Sequence, residues 1–144
     1  MKNFIWILIL FSFIVSSCCS QEISSNKTKL KYSIIAGEGG GVTGRHSGVF
    51  IDTSSAVYSF EGKSFDTAKK DSVMMLDNAK IEKLNSIIDS LMNYDLRESG
   101  NIYKYIILEN SKSEKRLSWI PGSSNASKLD TYYNYIFEIA KFNK

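Results

Sequence analysis

Gly37-Glu38-Gly39-Gly40-Gly41-Val42-Thr43-Gly44-Arg45-His46-Ser47-Gly48 contains six of the chain's nine glycines and its only histidine. How this stretch is read decides the fold. Before it, Leu30, Tyr32, Ile34 and Ala36 alternate with Lys31 and Ser33, the period-two pattern of a strand with one apolar face. After it, residues 48–52 place Val49 and Ile51 on one face and Phe50 on the other, a second strand. The stretch is therefore expected to be a long hairpin loop, bulged in places, whose glycines adopt φ > 0.

Working outward, Thr53-Ser54-Ser55 is a turn, and Ala56, Tyr58 and Phe60 alternate in a third strand. Residues 62–72 are polar and irregular, and residues 73–76 are a short apolar run, either a brief strand or the lead-in to a helix. Asp77 or Asn78 can cap that helix. Ile81, Leu84, Ile87, Ile88, Leu91 and Met92 recur at three- and four-residue spacing, which predicts an amphipathic helix over residues 78–93. Residues 102–109 (IYKYIILE) are rich in branched and aromatic side chains and apolar on both faces, as expected of a central strand. Residues 115–120 return as a strand with Leu117 and Trp119 on one face, and Pro121-Gly122 stops it. A last helix, capped by Ser124, Asn125 or Ser127, carries a stripe of Leu129, Tyr132, Tyr133, Ile136, Phe137 and Ala140. Tyr135 and Phe142 fall off that stripe.

Short links between consecutive strands imply hairpins, and two amphipathic helices cover one face of a sheet most economically. The expectation is an α+β domain over residues 30–144, with a four- to five-stranded, mainly antiparallel sheet, two helices on one face and the order βββαββα.

The composition, 43% hydrophobic and 23% charged, is that of a chain able to build a packed core. A net charge of +3 gives little long-range attraction for nucleic acid, and no nucleic-acid partner is expected. The two cysteines, Cys18 and Cys19, are adjacent and precede the domain, which leaves it without an internal disulfide or a thiolate metal site.

The chemistry-bearing candidates are few. Gly39-x-Gly41-x-x-Gly44 matches the dinucleotide fingerprint in letters, but a strand follows it where the pyrophosphate needs a helix N-terminus. No Gly-Lys-Ser/Thr of a phosphate loop and no Gly-x-Ser-x-Gly nucleophile elbow is present. His46 without cysteine is a poor start for a metal site. No catalytic residue, cofactor or metal is assigned. If the domain holds a ligand, the candidate contact loop is Gly39, Gly40, Gly41, Thr43, Arg45 and His46. Trp119, beside the loop that follows it, is the secondary candidate, as an aromatic platform.

The N-terminus reads as an address. Lys2 supplies charge, residues 4–15 (FIWILILFSFIV) form an apolar run, and Ser16 and Ser17 follow. A helix of that length spans about 18 Å, short of a hydrocarbon core of about 30 Å. Val15-Ser16-Ser17-Cys18 resembles the lipobox of bacterial lipoproteins. That resemblance implies a signal peptide over residues 1–17, cleavage before Cys18, and acylation of Cys18 through its sulfur. With no aspartate after Cys18, it points to the outer membrane of the envelope. Residues 18–29 then form the acylated terminus and a polar tether. The domain is also similar to a loose group of small uncharacterised bacterial lipoproteins that share a Gly-Gly-Gly-x-Thr-Gly segment, here residues 39–44.

These readings favour a membrane-anchored, non-enzymatic binding domain, held to the bilayer through Cys18 and facing an envelope protein or a small ligand. Two alternatives stay open: a small envelope hydrolase or carbohydrate-active enzyme using His46, and an inhibitor of a secreted enzyme.

Overall fold

The computed structural model describes residues 28–140. The signal segment 1–17, Cys18, Cys19, most of the tether and Phe142 lie outside the described residues. Six strands and two helices follow in chain order: β1 (Ser33–Gly40), β2 (Arg45–Ile51), β3 (Ala56–Gly62), β4 (Lys69–Met75), α1 (Asn78–Leu91), β5 (Ile102–Glu109), β6 (Glu114–Trp119) and α2 (Ser127–Ile139). The strands form one antiparallel sheet in the order β4-β3-β2-β1-β5-β6. The α+β class is as expected. The strand count is six rather than four to five, and the order is ββββαββα.

The additional strand is β4, in the stretch expected to be irregular up to its last residues. Its sequence, KKDSVMM, lacks an alternating apolar face because it is an edge strand exposed along nearly its whole length. It is held by its ladder with β3, which shifts register between Val57 and Tyr58. A strand held mainly by backbone pairing, with Met74 alone reaching the core, leaves little periodic trace in side-chain hydropathy.

The glycine stretch is also not the long loop expected. β1 runs on to Gly40, β2 begins at Arg45, and only residues 41–44 turn. Gly41 (φ 70°) and Gly44 (φ 59°) take the left-handed conformations of that turn, closed by Gly44 N–H donating to the Gly41 carbonyl at 3.2 Å. Gly37, Gly39 and Gly48 are paired residues inside the ladder.

Strand alternation separates two faces. On one, Ile34, Ala36, Val49, Ile51, Ile106 and Leu117 join the buried stripes of both helices in a single cluster. Each fully buried Leu or Ile there contributes about 1.5–3 kcal/mol. α1 spans Asn78–Leu91, and its cap is Asp77, whose side chain accepts the Lys80 N–H at 2.9 Å. That hydrogen bond holds the Asp77 carboxyl below its usual range. α2 is capped differently from expectation: Ala126 occupies the N-cap with no side-chain bond. Ala126 is fully buried, so this position is committed to packing, and Asp130 supplies the negative charge of the first turn. Tyr135, off the main stripe, packs at the rim of the core beneath Lys83, whose Nζ lies 4.5 Å from the ring centroid.

The chain is pinned where it joins the domain. Asn85 of α1 accepts the Lys31 N–H and donates to the Lys29 carbonyl, both at 3.0 Å, and Lys31 pairs with Asp89 at 2.7 Å. Leu30 between them is buried in the core. The approach to β1 is therefore fixed on the helix side, one strand length, about 25 Å, from the 41–44 turn. Among the described residues no helix is long and apolar enough to cross a membrane.

Candidate functional site: a glycine-floored groove

Among the described residues no helix packs on the second face of the sheet. Its own cluster is Ile35, Phe60, Tyr105 and Ile107, with Phe50, Phe65, Ala68 and Tyr103 packed against it. Register explains how this face is built. Gly37 lies opposite Gly48 on β2 and Tyr105 on β5. Gly39 lies opposite His46 and Tyr103, and Gly48 lies opposite Phe60. Three glycines thus stand where side chains would, and neighbouring rings lean over them.

The fit is close. A Cβ on Gly37 would lie 2.8 Å from the Tyr105 hydroxyl oxygen and 2.7 Å from the Ser47 carbonyl oxygen. A Cβ on Gly39 would run into the His46 ring, and one on Gly48 would lie 2.9 Å from the Phe60 ring. The missing side chains let the rings lie low and meet one another. His46 contacts Tyr105 edge-on at 5.7 Å and Tyr103 at 6.1 Å, and Tyr103 and Tyr105 are 6.0 Å apart. These are favourable ring separations.

Two segments rise beside this floor. The link between β3 and β4 brings Phe65 against Phe50 and Phe60, each at 5.2 Å. Lys70 of β4 backs that wall, with Nζ 3.9 Å from the Phe65 ring centroid. On the other side, residues 96–98 run along the outer edge of β6: Ser118 N–H donates to the Leu96 carbonyl at 3.0 Å and Glu98 N–H to the Ser118 carbonyl at 2.8 Å. Glu98 is fixed there, its two carboxylate oxygens accepting from Ile120 N–H and the Ser123 hydroxyl, both at 3.0 Å.

Between the walls lies a groove of about 580 Å³. Tyr105, Tyr103, His46, Ile35 and Ile107 line its base, with Asp66, Glu98, Glu109, Glu114 and Arg116 around it. Tyr105 is 5% exposed, and its hydroxyl has no hydrogen-bond partner among the described residues. Burial, and next the nearby Tyr103, pushes this phenol far above its ordinary value, so the hydroxyl keeps its proton as a donor. Arg116 Nε lies 3.5 Å from Glu114.

Of the sequence candidates among the described residues, His46 alone lines the groove. It sits on an interior strand against two tyrosines, not at a strand edge. Gly39 lies beneath it. Gly40 (φ 103°) approaches Asn101, whose carbonyl accepts the Gly41 N–H. Thr43 is exposed on the turn, and Arg45 pairs with Glu61 at 3.0 Å, outside the groove lining. Trp119 is no platform: it is fully buried on the helix side and donates its indole N–H to Asp130 at 3.1 Å. Cys18 lies outside the described residues.

Residues missed at the sequence level are Tyr103, Tyr105, Phe65, Glu98, Glu109, Glu114 and Arg116. The available signal was the spacing of Tyr103, Tyr105 and Ile107, which places them on the face of β5 opposite Ile106 and Leu108. Among the described residues no three His, Cys, Asp or Glu side chains converge to hold a metal ion. Compared with family models, curated proteins and solved structures, the chain finds no match in any of the three.

Proposed function

We propose that this chain is a lipid-anchored, non-enzymatic binding protein of the bacterial cell envelope, and that its ligand seats in the groove on the face of the sheet opposite α1 and α2. The observation that carries the binding role is Tyr105, a side chain only 5% exposed that lines the groove and whose hydroxyl has no hydrogen-bond partner among the described residues, over a floor cleared by Gly37, Gly39 and Gly48. A site with its rings already packed loses little conformational entropy when occupied. The anchor rests on the lipobox-like Val15-Ser16-Ser17-Cys18. Two or three acyl chains would hold the protein at the bilayer, where one is marginal.

Two measurements test this reading. Cys18→Ser is expected to abolish acylation and to move the protein out of the membrane fraction. Unchanged fractionation would overturn the anchor. For the groove, the acylated protein carrying fluorotyrosine is titrated with size-fractionated envelope extract and followed by ¹⁹F NMR. Tyr103 and Tyr105 should shift, while Tyr94 and Tyr132, on the helix side, should not. No fraction moving the groove resonances would remove the binding role.

A further inference from the structure

We propose that the groove takes an extended, cationic peptide segment, with a lysine or arginine side chain laid across the tyrosine floor and sharing the carboxylates around it. This deepens the binding reading above and rests on it.

Charge comes first. The chain carries a formal +3, yet among the described residues the groove is lined by four carboxylates, Asp66, Glu98, Glu109 and Glu114, against the one guanidinium of Arg116. The sign of the groove therefore opposes that of the protein as a whole, and a cleft of one sign concentrates ligands of the other. Glu98 is already bonded to Ile120 and Ser123, and Glu114 is shared with Arg116, so Asp66 and Glu109 are the carboxylates most open to a new cation.

The floor is suited to the same chemistry. Aromatic faces attract ammonium and guanidinium groups within about 6 Å of their centroids. The wall does so within this chain: Lys70 lies 3.9 Å from Phe65 and 5.7 Å from Phe50. The Tyr105 hydroxyl is independent of the charges. It belongs to a side chain only 5% exposed that lines the groove, it has no partner among the described residues, and it can accept from an ammonium or donate to a peptide carbonyl.

Shape selects an extended chain. The lining runs along β5 from Tyr103 to Glu109, six residue steps or about 20 Å, with residues 64–66 and 98–99 beside it. A small amine would leave most of that length empty, and an anionic ligand would meet four like charges.

The test uses the full acylated protein in nanodiscs of zwitterionic lipid, so that the bilayer does not attract a cationic probe. Three fluorescent octapeptides alternate serine with lysine, glutamine or glutamate. The lysine peptide should bind and lose affinity as salt rises, and the glutamate peptide should not bind. Replacing Asp66 with asparagine and Glu109 with glutamine together should weaken the lysine peptide about tenfold at low salt. Tyr105→Phe should weaken it about fivefold. Arg116→Ala should tighten it about threefold by removing a like charge, whereas an anionic ligand would lose its anchor. Arg116 is exposed, so this variant keeps the fold intact. Glu82→Gln, on the exposed side of α1, should change nothing.

Equal or better binding of the glutamine or glutamate peptide, or weaker lysine-peptide binding by Arg116→Ala, overturns the cationic assignment. If those peptides still shift the Tyr103 and Tyr105 resonances, the groove survives as a binding site for another chemistry. If no peptide binds but an extract fraction shifts those resonances, the peptide assignment fails and the groove reading stands. If neither peptides nor extract fractions do so, both fail.

Discussion

Gly48→Ala is expected to destabilise the domain by about 3 kcal/mol, although it adds a single methyl group. Overpacking a well-filled interior ordinarily costs about 1–3 kcal/mol, and the upper end applies where backbone must move. A Cβ on Gly48 would press on the Ala36 carbonyl oxygen and the Gly37 Cα, both backbone atoms of the neighbouring strand, and on the Phe60 ring. The ring can turn aside. The β1–β2 ladder cannot open at this register without loosening pairs on either side, including the buried Ala36–Val49 pair on the core face. Gly41→Ala is the informative comparison. Its Cβ would meet nothing within 4 Å, and the cost is only that of φ 70° for an alanine, about 1–2 kcal/mol. Urea unfolding of the two variants against wild type checks the order. If Gly48→Ala loses less than Gly41→Ala, the close approach of β1 and β2 is not a constraint on the fold. The same variant should disturb the groove, because displacing Phe60 displaces Phe65, which packs edge-on against it.

That contrast shows why the glycine stretch was only half legible. From sequence, a run of glycines between two strands reads as a loop, because φ > 0 is the commonest reason to use glycine. Gly41 and Gly44 fit that reason. Gly37, Gly39 and Gly48 serve the opposite purpose: they are strand residues whose missing side chains make room for rings carried by β2, β3 and β5. The rings they accommodate are fixed by cross-strand register, which a single chain does not display.

The helix face was legible for the reverse reason. The stripes of α1 and α2 recur within one segment, and the apolar alternation of β1, β2 and β5 points at the same core. β4 was legible only as a possible brief strand at its end, residues 73–75, because residues 69–72 owe their strand character mainly to backbone pairing with β3. The groove escaped because its walls come from segments 62–68 and 96–99, distant in sequence and irregular in pattern, which the sheet order alone sets on either side of β1 and β5.

Asp130→Asn is expected to cost about 2 kcal/mol near neutral pH and to remove a distinct acid-sensitive part of the stability. One carboxylate oxygen of Asp130, in the first turn of α2, accepts from Lys104 Nζ at 2.7 Å and from the Trp119 indole N–H at 3.1 Å. The ion pair ties α2 to the central strand β5, and the indole bond ties it to β6. Both charged side chains are largely covered, Lys104 at 18% and Asp130 at 26% exposure. Removing one partner of a fully buried pair costs about 3–5 kcal/mol, and partial exposure lowers that figure. Burial raises the Asp130 pKa, but the hydrogen bonds from Lys104 and Trp119 and the Lys104 charge outweigh it, so the carboxyl lies below its ordinary 3.8. A carboxylate whose folded value is depressed stabilises the fold above its unfolded value and loses that contribution as pH falls through the folded one. Wild type should therefore lose stability from about pH 4 downward by a component that Asp130→Asn lacks, the two curves converging in acid. A Lys104→Met change made on top of Asp130→Asn should recover part of the loss, because it removes the amine left without its carboxylate. Stability curves that stay parallel from pH 7 to pH 3 would show that this carboxylate does not hold α2 to the sheet, and would leave the packing of Trp119 against Tyr133, edge-on at 5.8 Å, as the stronger tie.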